Sequence, residues 1–339
     1  MKEAILLGDI GGTTARFALF TDRKLGSISH VAVVDHASAI DAIADFLADS
    51  RHDIKVTAAI MGIACPAEGE RCPITNSHWV IDTRELRTTF GFDAVTLMND
   101  FEAIAWSLPY LAAGDLSPIP GGQAVRGAPM VVIGPGTGLG MAAFVPRADS
   151  AIAIATEGGH ATLASSTSRE DAIIEQVRRR FGHVSAERAL SGGGLENLYA
   201  AIAMIDGAGV AARTAAEITR HALDGTCATS RAALDMFCAM LGTVAGNLAL
   251  TFRARGGVYI AGGIVLRLGN YLAQSEFRAR FESKGRFSRY LAAIPTSVIM
   301  HPDAAFLGLQ ALATRSSVLP PRPRSDRRRR APAAASRHD

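Results

Sequence analysis

The sequence predicts a two-domain α/β protein with a cleft between its domains, and three observations carry that prediction. The chain has 339 residues, 48% of them apolar, enough to bury a large core and to divide into two domains. Near its start the apolar run Ala4-Ile5-Leu6-Leu7 leads into Gly8-Asp9-Ile10-Gly11-Gly12-Thr13-Thr14. A second run, Ala15-Arg16-Phe17-Ala18-Leu19-Phe20-Thr21, follows at once, so the segment reads as strand, tight turn, strand. The same grammar returns later: Met130-Val131-Val132-Ile133, then Gly134-Pro135-Gly136-Thr137-Gly138-Leu139-Gly140, then Met141 to Val145. Two halves that each open this way suggest a duplicated fold without repeated sequence, with the two turns facing each other across the cleft.

The first turn has the chemistry of an anion site. Glycines let backbone N–H groups approach an anion closely, and threonines add donors. Asp9 cannot bind phosphate directly, but it can hold a hydrated Mg²⁺ that does. The same residues also suit an ordinary Gly-Gly hairpin with a turn aspartate.

In chain order, His30 to Val34 is a third strand. Ser38 to Ser50 has apolar residues at Ile40, Ile43, Ala44, Phe46 and Leu47, a helical period with Ser38 as its N-cap. Val56 to Ile63 and Ala94 to Met98 are strands, and Thr83 to Thr89 and Phe101 to Leu108 are helices. A boundary is expected in Ala112 to Gly127, rich in Gly and Pro. After the second glycine turn come a strand from Ala151 to Thr156, mostly helices, and strands at Val258 to Ala261 and Ser297 to Met300. Gly262-Gly263 ends the first of these. Met236 to Phe252 is apolar but only 17 residues long, where a membrane span needs about 20, so a buried helix is expected.

Several classes are set aside. No G-x-x-x-x-G-K-[ST] occurs, which excludes a P-loop. The Gly134 to Gly140 run fails G-x-G-x-x-G at Leu139 and leads into a strand rather than a helix, which argues against a dinucleotide fold. Two glycine/threonine hairpins instead fit a nucleotide whose triphosphate is gripped between domains. The net charge of +3 also divides unevenly. From Arg315 to Asp339 eight arginines face two aspartates, +6 in all, which leaves −3 for the rest. The basicity thus belongs to a Pro/Ala/Arg tail expected to be disordered, and no nucleic-acid or membrane partner is expected. Cys65, Cys72, Cys227 and Cys238 show no C-x-x-C or zinc spacing, as in a reduced, cytoplasmic protein, although Cys65 and Cys72 are near enough in sequence for a bridge. The start, Met1-Lys2-Glu3, leads into too few apolar residues for a signal peptide.

The two turns, Asn99-Asp100, Glu157-Gly158-Gly159-His160, the run from Gly182 to Leu195 and Ala261-Gly262-Gly263-Ile264 resemble, in this order, the bacterial ATP-dependent glucokinase family. This is the non-ROK type within the hexokinase–actin–Hsp70 superfamily, and the likeness runs from Met1 to about Leu312. The resemblance implies an actin-like ATPase (ribonuclease H-like) fold. Its small domain would be 1–111 plus a returning helix at about 301–314, and its large domain 112–300. It also implies Mg²⁺ and ATP, glucose as the sugar, and a homodimer. Carried over by motif, Asp100 is the general base, and Asn76, Asn99, Asp100, Glu157, His160 and Glu187 hold the sugar. Gly8, Asp9, Ile10, Gly11, Gly12, Thr13, Thr14 and Arg16 hold ATP with Gly136, Thr137 and Gly138, and Asp9 reaches the metal through bound water. Gly262 and Gly263 leave room for the adenosine, where a side chain would block the base.

Three carboxylates in one pocket accept hydrogen bonds from hydroxyls and repel an already phosphorylated sugar, so the substrate is expected to be neutral and polyhydroxylated. Another neutral hexose remains an alternative to glucose. Asp100 also suits an N-cap for the helix that follows it. Three departures from the family pattern stand out: Thr14 in place of asparagine, Gly193 in place of proline, and a charged Ala67 to Ile74 between Cys65-Pro66 and Thr75-Asn76-Ser77-His78-Trp79. Gly193 is expected to loosen a loop. Two rivals fit less well. A sugar-sensing ROK-type regulator would need a DNA-binding module ahead of Asp9 and a zinc motif. An ATPase of the actin or Hsp70 kind would lack the Glu157, His160 and Glu187 set.

Overall fold

The computed structural model describes residues 2–49, 54–65, 69–147 and 150–315. The Arg-rich tail beyond Arg315, part of the charged loop near Glu68 and the end of the first predicted helix at Ser50 lie outside them. The first half begins with β1 (Lys2–Ile10), β2 (Thr14–Thr21), the two-residue β3 (Lys24–Leu25) and β4 (Ser29–Ala32). Then come α1 (Ala39–Ala48) and β5 (Ile54–Ile63). A small hairpin, β6 (Arg71–Pro73) and β7 (Val80–Asp82), leads to α2 (Thr83–Phe90), β8 (Ala94–Asn99) and α3 (Asp100–Ser107). The strand order is β3-β2-β1-β5-β8, with β4 also on β2; β1 pairs antiparallel to β2 and parallel to β5, and β5 is parallel to β8.

Sequence signals account for most of these ends. Ser38 caps α1 by accepting the amide of Asp41 at 3.2 Å. Asp82 caps α2, and Gly91 ends it in the left-handed conformation at φ 68°. The third strand stops at Ala32, two residues short of the expected Val34. Its partner β2 begins at Thr14, opposite Ala32, so no ladder remains for Val33 and Val34, which turn into a 3₁₀ turn.

The second half holds β9 (Leu116–Ile119), β10 (Met130–Pro135), β11 (Leu139–Val145) and β12 (Ile152–Thr156). Helices α4 (Ser168–Phe181), α5 (Gly192–Ile205), α6 (Ala215–Leu223) and α7 (Ala228–Phe252) follow. Next are β13 (Gly257–Ile260), α8 (Gly263–Leu268), α9 (Tyr271–Gln274), α10 (Phe277–Glu282) and α11 (Ser288–Ala292), then β14 (Thr296–Ile299) and α12 (Ala304–Thr314). The order β12-β11-β10-β13-β14 repeats that of the first sheet, with β10 and β11 standing where β1 and β2 stand. The expected duplication is therefore a property of the topology.

Two elements differ from the sequence reading. Strand β9 lies inside the Gly/Pro-rich stretch and joins the second sheet antiparallel to β14, at its edge, where Pro118 is tolerated. Helix α7 runs 25 residues, not 17, because its first two turns are built of small and polar residues that carry little hydropathy. By length and composition it could cross a membrane, but most of it is buried here against α5, α6 and α10.

The layers follow from the alternation of side chains along each strand. In the first sheet Leu6, Phe17 and Met61 face a core closed by Ile43 of α1 and Leu86 of α2. Leu7, Ala18 and Ile60 face the other way, into a central layer with Ala103 and Trp106 of α3, Phe306 and Leu309 of α12, and Val132 and Ala142 of the second sheet. Thus α3 and α12 pack side by side between the two sheets. The second sheet's outer face is covered by α4 to α8 and α10. No disulfide joins Cys65 to Cys72; both carry thiols, and the two interact.

Candidate active site

The register of β1 and β2 sets Asp9 directly opposite Arg16. The Arg16 guanidinium donates to Asp9 Oδ2, to Asp303 Oδ1 at 2.9 Å and to the carbonyl of Pro302 at 3.0 Å. Arg16, expected at the nucleotide, is thus held between two carboxylates and ties the first turn to the start of α12. Asp9 is buried; desolvation pushes its carboxyl up, and the Arg16 charge opposes that shift. The turn itself is closed by Gly11 N–H donating to Thr14 O at 3.0 Å, with Thr13 and Thr14 exposed. No side chain fits at Gly12, because a Cβ there would lie 2.6 Å from the carbonyl oxygen of Thr75. The Thr75-Asn76 loop therefore packs onto the turn. Asn76 takes a left-handed φ of 58°, a conformation asparagine tolerates, and with Gly12, Thr13 and His78 lines a hollow of about 580 Å³.

Asn99 and Asp100 stand where β8 gives way to α3. The N-cap is Asn99, whose Oδ1 accepts the amide of Phe101 at 2.9 Å. Asp100 is the first helical residue, so the capping role that the sequence allows it belongs to its neighbour. Its Oδ1 shares the same amide at 2.9 Å. Protein atoms crowd this carboxyl while part of it stays open, and desolvation, then the Asp9 charge, push it up to about 7. The two aspartates are neighbours because Gly62 on β5 separates them. Its Cβ position lies 3.6 Å from Asp100 Cα and 3.9 Å from Asp9 Oδ1, and a larger residue would fill that space. Nothing in the sequence marks Gly62; only the pairing of β1 with β5 reveals it.

From the second half, Gly136 N–H donates to Gly138 O at 2.8 Å, closing the second turn, and Gly136 O accepts from Gly192 N–H of α5 at 2.9 Å. Thr137 is exposed at its tip. Glu187 reaches this turn: its Oε2 accepts the amide of Leu139 at 2.9 Å, and a Cβ at Gly138 would lie 2.5 Å from it. The chain of 161–163 runs beside 184–186, with Ala186 N–H donating to Ala161 O and Leu163 N–H to Val184 O, each at 2.9 Å. That pairing brings Glu157 and His160 to the side of Glu187. Both are exposed, with His160 Nε2 3.8 Å from Glu157 Oε2. The charge of Glu157 also acts on Asp100, so carboxylates from the two halves face one another.

Gly262 has φ +100°, and a Cβ on it would strike the carbonyl of Pro135, so the neighbouring backbone gives it a second reason to be glycine. Gly263, at the start of α8, has open space around it. One expectation is corrected here. Gly193 lies not in a loop but in the first turn of α5, behind the N-cap Ser191. Asp303, Phe101 and Gly62 join the site without having been foreseen. Asp303 is 287 residues from its partner Arg16, a separation no local pattern can register.

The structure matches a glucokinase from an Antarctic psychrotroph with a TM-score of 0.82 at 34% identity, covering 91% of this chain and 98% of that one. A ROK family glucokinase from Streptomyces griseus, in complex with glucose and AMPPNP, shares the fold at 20% identity and a TM-score of 0.60, with 91% and 98% covered. Two sheets of one topology, a glycine turn from each and an aspartate at the head of the helix between them define a sugar kinase of the actin-like ATPase fold. The sequence is 45% identical over 312 residues to a glucokinase of Nitrobacter hamburgensis, covering 92% of this chain and 98% of that protein. It matches the glucokinase family over residues 6–316, and the chain belongs to that family.

Proposed function

We propose that this protein transfers the terminal phosphoryl group of Mg-ATP to the 6-hydroxyl of glucose. The observation that carries this reading is Asp100: a crowded carboxyl at the head of α3, raised to about 7, with a glycine turn from each half beside it. A base working near neutral pH needs a value in that range. Asp100 accepts the proton of the attacking hydroxyl. Asn76, Asn99, Glu157, His160 and Glu187 hold the sugar, and acceptor-only carboxylates suit a neutral polyol. Backbone N–H groups of the Asp9 and Gly136-Thr137-Gly138 turns grip the phosphates, and Gly262 and Gly263 leave room for the adenosine.

Asp9 suits a metal held through water, because one of its oxygens is engaged by Arg16 and the other faces the gap over Gly62. Among the described residues no cluster of three metal-ligating side chains stands ready, so the phosphate oxygens would carry most of the coordination. Mg²⁺, when bound, neutralises charge on the transferred group. We assign 1–111 with about 301–314 to the small domain and 112–300 to the large one; the packing of α12 on α3 and β1 supports the returning helix. A cytoplasmic homodimer is part of the same reading, and analytical ultracentrifugation tests the assembly.

The deciding experiment is ADP release from purified protein with ATP and a panel of hexoses. Glucose is expected to give the highest kcat/KM. A higher value for mannose or fructose would correct the substrate, and no hexose-dependent release would sink the reading. Within the site, Glu187→Ala removes the acceptor for Leu139 N–H and one for the sugar. A hydrogen bond to a charged group contributes about 1.5–3 kcal/mol, so kcat/KM is expected to fall about 10–10²-fold. Glu187→Gln keeps an acceptor and should lose less.

A further inference from the structure

We propose that Phe101 is a positioning residue that couples the second glycine turn to the general base. The inference rests on the kinase reading above. Phe101 is joined to both parts of the site by different atoms. Its amide donates to Asp100 Oδ1 and to Asn99 Oδ1, each at 2.9 Å. Its ring lies across the root of the opposite hairpin. A Cβ on Gly134 would come within 2.5 Å of the ring's Cζ, and a Cβ on Gly140 would overlap the ring's Cδ2 and Cε2. Gly134 and Gly140 are directly paired across β10 and β11, and they flank the Gly136-Thr137-Gly138 turn.

This gives the outer glycines a purpose the phosphate chemistry does not require. An anion needs bare backbone at the turn itself, whereas Gly134 and Gly140 lie one pair back, in regular strand. There the missing side chains form a flat seat for an aromatic ring from the helix between the sheets. The ring fixes the height of the head of α3 over the phosphate turn, and the amide transmits that height to the carboxylate. In-line transfer depends on this separation, and a displacement of about 1 Å can cost on the order of 10²-fold. Sugar affinity is spread over Asn76, Asn99, Glu157, His160 and Glu187, of which only Asn99 shares the head of α3 with the ring.

The test compares Phe101→Leu, Phe101→Ala, Gly140→Ala and the double variant Gly140→Ala/Phe101→Leu with wild type. Each is assayed for glucose-dependent ADP release, and glucose binding is measured separately by intrinsic fluorescence. All assays are run well below the melting temperature of each variant. Gly140→Ala and Phe101→Ala are expected to lower kcat about 10–10²-fold while glucose affinity stays within about threefold. The double variant, whose smaller side chain vacates the crowded seat, is expected to recover at least threefold of the kcat lost in Gly140→Ala. Variants whose kcat stays within twofold of wild type while only stability falls would overturn the role of Phe101 and leave the kinase reading intact. A wild-type protein with no hexose-dependent turnover would overturn the kinase reading and this role with it. Should Phe101→Ala fail to fold, Phe101→Leu and Gly140→Ala still decide the matter.

Discussion

Asp100→Asn is expected to lower kcat by about 10²–10⁴-fold while leaving glucose affinity within a few-fold. The amide keeps the shape and one acceptor oxygen but cannot take a proton. Wild-type activity should rise with pH through about 7, as the carboxyl ionises. The same variant has an opposite effect on stability. In the unfolded chain this carboxyl ionises near 3.8, so folding favours its protonated form. That contribution is fully present below about 3.8 and is lost as pH rises to about 7. At pH 8 the folded wild type carries a crowded charge at a cost on the order of 4 kcal/mol at most. Asp100→Asn should therefore melt at a higher temperature than wild type at pH 8, with the gap narrowing towards pH 4. Thermal melts at both pH values and steady-state kinetics check the two halves of this prediction. Turnover equal to wild type would mean that another group is the base.

Gly308→Ala is expected to be among the most damaging single added methyl groups in the fold. Helices α3 and α12 cross at Gly308 so closely that an added Cβ would overlap the carbonyl oxygen of Ala103 and lie 3.0 Å from Ser107 N. Both neighbours are helix backbone and cannot swing aside, so the helices must part. Overpacking of this kind costs about 1–3 kcal/mol, and backbone obstruction puts this site at the upper end. A melting temperature lowered by about 6 °C is the expected reading, taking for this longer chain about 2 °C per kcal/mol, the lower end of the range for chains of about 150–250 residues. Because α3 carries Asp100, kcat should fall as well in the folded fraction. A variant with wild-type melting and kinetics would show that the crossing relaxes freely.

Much of this fold was legible because strand–turn–strand hairpins are local. The apolar runs on either side of Gly11-Gly12 and of Gly136-Thr137-Gly138 declare themselves through composition and spacing, and their repetition implies the duplicated topology. The shape of the first helix was legible for the same reason, since Ser38 and the period after it act within a few residues. Strand β9 was not, because Leu116–Ile119 becomes a strand only by pairing with β14, about 180 residues later. The first residues of α7 were missed because their burial is conferred by α5, α6 and α10 rather than by their own hydropathy.

The site divides along the same line. The sequence by itself carried the motifs whose resemblance to the glucokinase family nominates the proposed acceptors and turns: Asp9, Asn99, Asp100, Glu157, His160 and Glu187, with the glycines that leave backbone bare. Each motif is a short segment, so its order and spacing can be read without the fold. Tertiary structure alone decided that Gly62 separates Asp9 from Asp100, that Arg16 is shared with Asp303, and that the ring of Phe101 rests on Gly134 and Gly140. It also decided that Glu187 holds the second turn by its backbone. Each of these depends on contacts between segments far apart in the chain. Close approach of two backbones leaves no local trace beyond a glycine, and many glycines have other reasons.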